Sequence, residues 1–142
     1  MPGTYTTSLT VIDATGNSDP SPPTRTITVL PTSPDFSITV GPAAQEVVPG
    51  GLTTYTVTVA PVSGFTGTVN LSVDSQSGFP TGITSGGFSP ASISTGGSST
   101  LTMQTSTSTV PYALSLTNTG TSGTISHTAS TTYLSIWRPL RV

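Results

Sequence analysis

The sequence has no cysteine and no lysine, and it carries few charges of either sign. Among 142 residues there are three arginines, five acidic residues and one histidine, so only 6% are charged, against about 25% in an average soluble domain. Without thiols the chain has no disulfides, no cysteine-based zinc site and no cysteine nucleophile. Three arginines cannot neutralise the row of phosphates in a nucleic-acid groove, which excludes nucleic acid as a partner.

Long apolar runs and helix-forming stretches are also missing. No run of about 18 apolar residues occurs, which excludes insertion into a membrane as a helix. Met1 is followed by Pro2 and Gly3 rather than by a basic stretch and an apolar run, so no signal peptide is expected there. The 15 Gly and 13 Pro interrupt the chain every few residues, and the longest stretch that tolerates a helix, residues 43–48, is too short to form one.

Hydroxyl groups and short apolar alternations are what the sequence has in quantity. It contains 31 Thr and 22 Ser, and Thr suits the solvent face of a strand. Leu, Ile, Val and Phe make up about 23% of the residues, just above the range typical of disorder, below about 20%. The chain is therefore expected to fold, and to fold as strands.

The first 30 residues predict a two-stranded ribbon. Residues 5–11 alternate, with Leu9 and Val11 among the apolar positions, and residues 24–30 place Ile27 and Val29 on one face. A segment with turn composition separates these two runs. Residues 31–34, with two prolines and no apolar anchor, are expected to be a linker.

After the linker, strand patterns recur at a spacing of about ten residues and predict an all-β sandwich of about seven strands. Residues 52–59, for example, place Tyr55, Val57 and Val59 on one face. Residues 79–90 are expected to be an irregular crossing. Tyr112, which follows Pro111, is expected to be a corner tyrosine whose hydroxyl bonds to the backbone.

Two family resemblances accompany these patterns. Residues 35–136, from DFSITVGPAAQEVVPGG through GFSPASIS to YLSI, resemble a bacterial immunoglobulin-like repeat of secreted and cell-surface proteins. Residues 3–30, GTYTTSLTVIDATGNSDPSPPTRTITVL, resemble the last two strands of a PKD-type domain, without the family's preceding acidic motif. These resemblances imply four segments: a PKD-like incomplete ribbon (1–30), the linker (31–34), an immunoglobulin-like sandwich (35–136) and an atypical tail (137–142).

The few titratable residues offer little for chemistry. Asp13 and Asp19 flank the ribbon's turn, where an aspartate usually caps its own backbone. They are also candidates for a weak calcium site, although calcium prefers six to eight oxygen ligands. Asp35 and Glu46 are expected to be solvated loop acids, and His127 to be structural. With one histidine and no nucleophile elbow, we expect no catalytic residues, no enzyme activity and no cofactor.

The last six residues differ in composition from the rest of the chain. They hold the only tryptophan and two of the three arginines, residue types that are enriched in protein interfaces. They are expected to be either a frayed tail or a docking segment. The possible assembly or partner contacts are therefore Leu9, Val11, Ile27, Val29, Trp137, Arg138, Leu140 and Arg141.

Three functions fit this sequence. The first is a non-catalytic structural or adhesion module of an extracellular or cell-surface protein, whose partners are neighbouring domains. The second is a subunit of an extracellular filament that polymerises by strand exchange or complementation, since edges with few charges and no lysine lack the usual protection against pairing. The third is an accessory carbohydrate-binding module of a secreted hydrolase, favoured only if aromatic side chains are exposed on one face.

The same inventory predicts how stability responds to solution conditions. With few ion pairs, the free energy of unfolding should change little with salt concentration and little between about pH 5 and pH 9, because surface pairs contribute little. Denaturant unfolding of the whole chain across that range checks this. A steep loss of stability within it would show that His127 or an acid is buried in a network.

Overall fold

The computed structural model describes residues 1–75 and 78–137, and this part of the chain consists of strands, turns and loops without a helix. It accordingly contains no helix that is long and apolar enough to cross a membrane. The chain divides into two compact units, Met1–Ser33 and Pro34–Val142. The predicted all-β class is confirmed.

The first unit is an antiparallel ribbon of β1 (Gly3–Ser8) and β2 (Thr24–Val29). The first strand is shorter than its alternation predicts, because Leu9 and Val11 lie beyond its end. The loop that follows remains hydrogen-bonded: the Leu9 N–H donates to the Pro23 carbonyl over 3.2 Å, and the Asp19 N–H donates to the Val11 carbonyl over 3.0 Å.

The second unit contains nine strands, two more than expected, because residues 44–47 and 83–89 form strands that were not anticipated. They are β3 (Asp35–Gly41), β4 (Ala44–Val47), β5 (Leu52–Val62), β6 (Thr68–Ser75), β7 (Ile83–Ser89), β8 (Ser92–Ser94), β9 (Gly97–Thr105), β10 (Tyr112–Ser122) and β11 (Ile125–Ser135). One sheet has the order β3-β5-β9-β7 and the other the order β4-β11-β10-β6-β8. The pair β4–β11 is parallel, whereas the other pairs are antiparallel. The expected sandwich is thus present.

The two ends of this sandwich are named here for the chain direction. The N-terminal pole is where β3 begins and where β10 turns into β11. The C-terminal pole is where β11 ends, next to the loops 48–51 and 106–111; the Gly50 N–H donates to the Ser106 carbonyl over 3.0 Å and so joins these two loops.

Two apolar clusters fill the space between the sheets. The larger lies towards the C-terminal pole and contains Val47, Tyr55, Ile83, Leu101, Met103, Leu114, Leu116 and Tyr133. The smaller lies towards the N-terminal pole and contains Phe36, Val59, Phe65, Val69 and Ile93. The predicted inward face of residues 52–59 is confirmed, because Tyr55, Val57 and Val59 are all buried.

Two details differ from the sequence-based expectations. Residues 83–89 form the edge strand β7 rather than an irregular crossing, with a register shift between Ser85 and Gly87 that obscures the alternation. Tyr112 is 39% exposed, and the buried tyrosine that bonds to the backbone is Tyr55, whose hydroxyl donates to the Thr132 carbonyl over 2.9 Å. Tyr112 stands at the very start of β10, where the sheets no longer cover it.

Leucines at the centre and at the rim of the sandwich provide a test of this packing. Leu101 is completely buried, whereas Leu52 is 60% exposed. We expect Leu101→Ala to lower the free energy of unfolding by about 3 kcal/mol, because it leaves a cavity, and Leu52→Ala to change it by no more than about 0.5 kcal/mol. Denaturant unfolding of both variants checks this. Equal losses would mean that the core is not centred on Leu101.

Candidate assembly surfaces

The ribbon has one apolar face and one face of hydroxyl groups. Tyr5 pairs with Ile27 and Gly3 pairs with Val29, and residues paired directly across strands share a face. The opposite face consists of Thr4, Thr6, Ser8, Thr24, Thr26 and Thr28. Tyr5 and Ile27 are 47% and 50% exposed. Within the ribbon unit, therefore, nothing covers the apolar face.

All four contact residues predicted in the ribbon are exposed to solvent: Leu9, Val11, Ile27 and Val29. Two of them, Ile27 and Val29, lie on β2 and on the apolar face, whereas the other two lie in the loop after β1. Tyr5 also belongs to the apolar face. In the sequence, Tyr5 belongs to the same alternation as Leu9. Only its cross-strand pairing with Ile27 shows that Tyr5 lies on the apolar face.

The two acids of the ribbon unit, Asp13 and Asp19, accept hydrogen bonds within the loop between the strands. Asp13 Oδ1 accepts hydrogen bonds from the Thr15 hydroxyl at 2.7 Å and from the backbone N–H groups of Thr15 and Asn17, both at 2.9 Å. These bonds, that of the Thr15 hydroxyl first, hold the pKa of Asp13 below its usual value. Asp19 Oδ1 accepts from the Ser21 N–H at 2.9 Å. Both acids therefore cap the turn that contains them.

A calcium site at these two acids stays a prediction. Asp13 and Asp19 line one shallow depression of about 480 Å³ together with Asn17. Within the described residues, no three His, Asp or Glu side chains are grouped so that they could hold a metal ion. Two carboxylates and turn oxygens are fewer charged ligands than calcium usually takes.

His127 and Asp35 form a hydrogen-bonded pair at the N-terminal pole, which the sequence did not reveal. His127 Nε2 lies 2.7 Å from Asp35 Oδ1, and the two side chains are 39% and 44% exposed. The His127 ring also packs edge-on against Phe36, with ring centres 4.9 Å apart. The interpretation of Asp35 and Glu46 as loop acids is therefore wrong, because they lie on β3 and β4. Asp35 is solvated as expected, and it also joins β3 to β11.

The C-terminal pole carries a second group of exposed apolar side chains, named here the pole patch: Val48, Leu52, Val110, Tyr112 and Trp137. A groove of about 290 Å³ opens beside it, lined by Glu46, Val47, Val48, Gly51, Leu52 and Ile136. The Ile136 N–H donates to the Val47 carbonyl over 2.9 Å, which holds Ile136 against this groove. Among its lining residues Glu46 is the only charged one.

The predicted tail contacts divide into two sets. Trp137 is 59% exposed and lies at the pole patch, whereas Arg138, Leu140 and Arg141 lie outside the described residues. The other members of the patch were missed as contacts, because isolated apolar residues in loops (Val48, Val110) or at the first position of a strand (Leu52, Tyr112) give no signal in sequence. Only folding brings the loops 48–51 and 106–111 together.

Both exposed apolar surfaces are suited to binding. The ribbon face and the pole patch both expose aliphatic and aromatic groups. Such surfaces bind other apolar surfaces.

The sequence matches no protein-family model and has no significant match among curated proteins. Solved structures with a similar fold include domains 4 and 5 of the S-layer protein SbsC, with a TM-score of 0.51 and 20% identity over 93% of this chain and 70% of that one. SbsC domains 4–9 give a TM-score of 0.52 and 19% identity over 98% of this chain.

A family 123 glycoside hydrolase from Clostridium perfringens has a TM-score of 0.51 and 11% identity over 75% of this chain. This chain spans 28% of that hydrolase and 19% of the structure of SbsC domains 4–9. At such identities the similarities show a shared β-rich fold and nothing more.

The His127–Asp35 pair predicts where stability depends on pH. The hydrogen bond from His127, followed by that from the Phe36 N–H, holds the pKa of Asp35 below its usual value of 3.8. A carboxylate with a lowered folded-state pKa stabilises above its unfolded-state pKa, and this contribution is lost as the pH falls through the folded-state value. We therefore expect the loss of stability below about pH 4 to be shallower in Asp35→Asn.

Denaturant midpoints between pH 2 and pH 7 measure this difference. Asp74→Asn is the matched control, because Asp74 is an exposed strand acid of the same sandwich whose carboxylate accepts the N–H of the next residue, as that of Asp35 does, without a hydrogen bond to the histidine. The loss of stability below about pH 4 should change more in Asp35→Asn than in Asp74→Asn. An unchanged loss in Asp35→Asn would contradict the assigned role of the pair.

Proposed function

We propose that this chain is a non-catalytic structural module of an extracellular or cell-surface protein, carried in series with other modules. The observation that carries the proposal is that the chain enters and leaves its sandwich at opposite poles. Asp35 begins β3 beside His127 at the N-terminal pole, and Ile136 follows β11 beside Val47 at the C-terminal pole.

The separation of these two points follows from the strand between them. Nine residue steps along β11 and its end separate His127 from Ile136, and at about 3.3 Å per residue they span about 30 Å. A module built in this way lengthens a chain of modules by its own length along the strands. If entrance and exit shared one pole, the module would instead hang from the chain as a side branch.

The outer faces of both sheets support a structural role. Many of their cross-strand pairs are hydroxyl against hydroxyl, as in Thr54–Thr102, Thr56–Thr100 and Thr119–Thr128. Such faces are well hydrated and nearly uncharged, so they offer a charged ligand little attraction. A surface with these properties suits a spacer that has to stay soluble without binding its surroundings.

The structural neighbours fit this proposal. SbsC is described as a surface layer protein, and we extend a cell-surface location and a structural role from it to this chain. The immunoglobulin-like and PKD-like resemblances of residues 35–136 and 3–30 point in the same direction. An adhesive role belongs to the same proposal and would use the exposed apolar surfaces.

A second function, assembly into an extracellular filament, is favoured by one specific observation. The ribbon exposes Tyr5, Ile27 and Val29 on one face, and an isolated two-stranded ribbon is at best marginally stable in water. A partner that covers this face, or that adds a strand to its edge, would stabilise it. Other copies of the chain are the simplest such partner.

Fusing two full-length copies in series tests the structural role. We expect the maximum dimension from small-angle X-ray scattering of a dilute sample to exceed that of the single chain by at least about 30 Å, the span along β11. The single chain at equal mass concentration is the control. A fusion whose maximum dimension matched that of the single chain would contradict modules arranged in series.

A further inference from the structure

Exposed apolar side chains of the described residues form two groups, apart from those in the ribbon's loop and at its ends (Met1, Leu9, Val11, Ile12 and Leu30). Outside the ribbon unit, five of the six large exposed ones belong to the pole patch, and Val62 is the exception. Within the ribbon unit, Tyr5, Ile27 and Val29 form a continuous face. Contiguous exposed apolar surface usually marks an interaction site, whereas single exposed residues need no explanation.

We propose that the apolar face of the ribbon in one copy of the chain docks on the pole patch of a second copy. This inference rests on the proposed function, because it names the partner and the surface of a module that works in series. The ribbon gains the cover that it lacks, and the groove beside Leu52 gains an occupant. Aliphatic and aromatic side chains are present on both sides.

Charge complementarity selects the second copy as the occupant. Arg25 on β2 pairs with Thr7 on β1, so it shares a face with Tyr5 and Ile27. It lies two residues from Ile27, or about 7 Å along the strand. Glu46 lines the groove of the pole patch. Neither side chain forms an ion pair with another described residue. Docking would bring one cation and one anion together at the edge of an apolar contact.

The contact joins two different surfaces, so the interface is heterologous. Each copy can use its ribbon on one neighbour and its pole patch on another, and the assembly can therefore grow. The ribbon precedes the N-terminal pole in the sequence, and the patch lies at the other end of the sandwich. Repeating such a contact without closing a ring produces an open fibre.

Sedimentation velocity of the full chain over a wide concentration range tests this proposal. We expect concentration-dependent oligomers that extend without a fixed stoichiometry. Arg25→Glu and Glu46→Arg should each weaken association about tenfold or more, because each places like charges together across the interface. The double variant should associate within about threefold of wild type, because the pair is restored with its signs exchanged.

Apolar substitutions supply the matched control. Leu52→Ser in the pole patch should weaken association about tenfold, whereas Val62→Ser, which is also exposed but lies at the N-terminal pole, should leave it unchanged. Circular dichroism and unfolding midpoints establish that each variant stays folded. Since all four side chains are exposed, loss of the fold is not expected.

Three outcomes would overturn the proposal. A chain that stays monomeric at every concentration has no such contact. Oligomers insensitive to Arg25→Glu and Glu46→Arg use another surface, such as an open sheet edge. A double variant as weak as the single ones would show that the two residues do not meet. None of these outcomes affects the fusion measurement, so failure of this contact is distinguishable from failure of the structural role.

Discussion

The alternation of one apolar with one hydroxyl-bearing residue is the constraint on which the structure depends. In a chain with so little apolar content, the sandwich can be filled only if nearly every large side chain points inward. Along β5 the inward set is Tyr55, Val57 and Val59, and the residues between them are threonines. A shift of one residue in strand pairing would point these three side chains towards the solvent. The hydroxyl-rich surface is therefore a consequence of the alternation that fills the core. The fold is specified by this alternation without charged side chains.

The strand pattern could be predicted from sequence wherever the alternation is regular, as in β3, β5, β9 and β10. It failed at β7, because Gly86 and Gly87 and the register shift beside them interrupt the period of two. It also failed at β4, where prolines at positions 42 and 49 suggested no regular structure. Parallel pairing with β11 determines that strand, and a local pattern carries no information about pairing.

The candidate surfaces were only partly predictable for a related reason. The ribbon residues follow from local alternation, and Trp137 follows from composition. The pole patch is assembled from three segments far apart in the sequence, residues 48–52, 110–112 and 137. The His127–Asp35 pair joins residues separated by 92 positions. Contacts of this kind depend on sheet order. The strand order depends on where the chain crosses from one sheet to the other. The sequence of a single segment contains no information about these crossings.

The parallel pairing of β4 with β11 has a mechanical consequence. The Thr132 N–H donates to the Ala43 carbonyl, and the Ile136 N–H donates to the Val47 carbonyl, both over 2.9 Å. In modules linked in series and placed under tension, the preceding segment pulls β3 and β4 towards the N-terminal pole while the following one pulls β11 the opposite way. The two strands are then loaded in shear, so their hydrogen bonds share the force and must break together instead of unzipping one at a time.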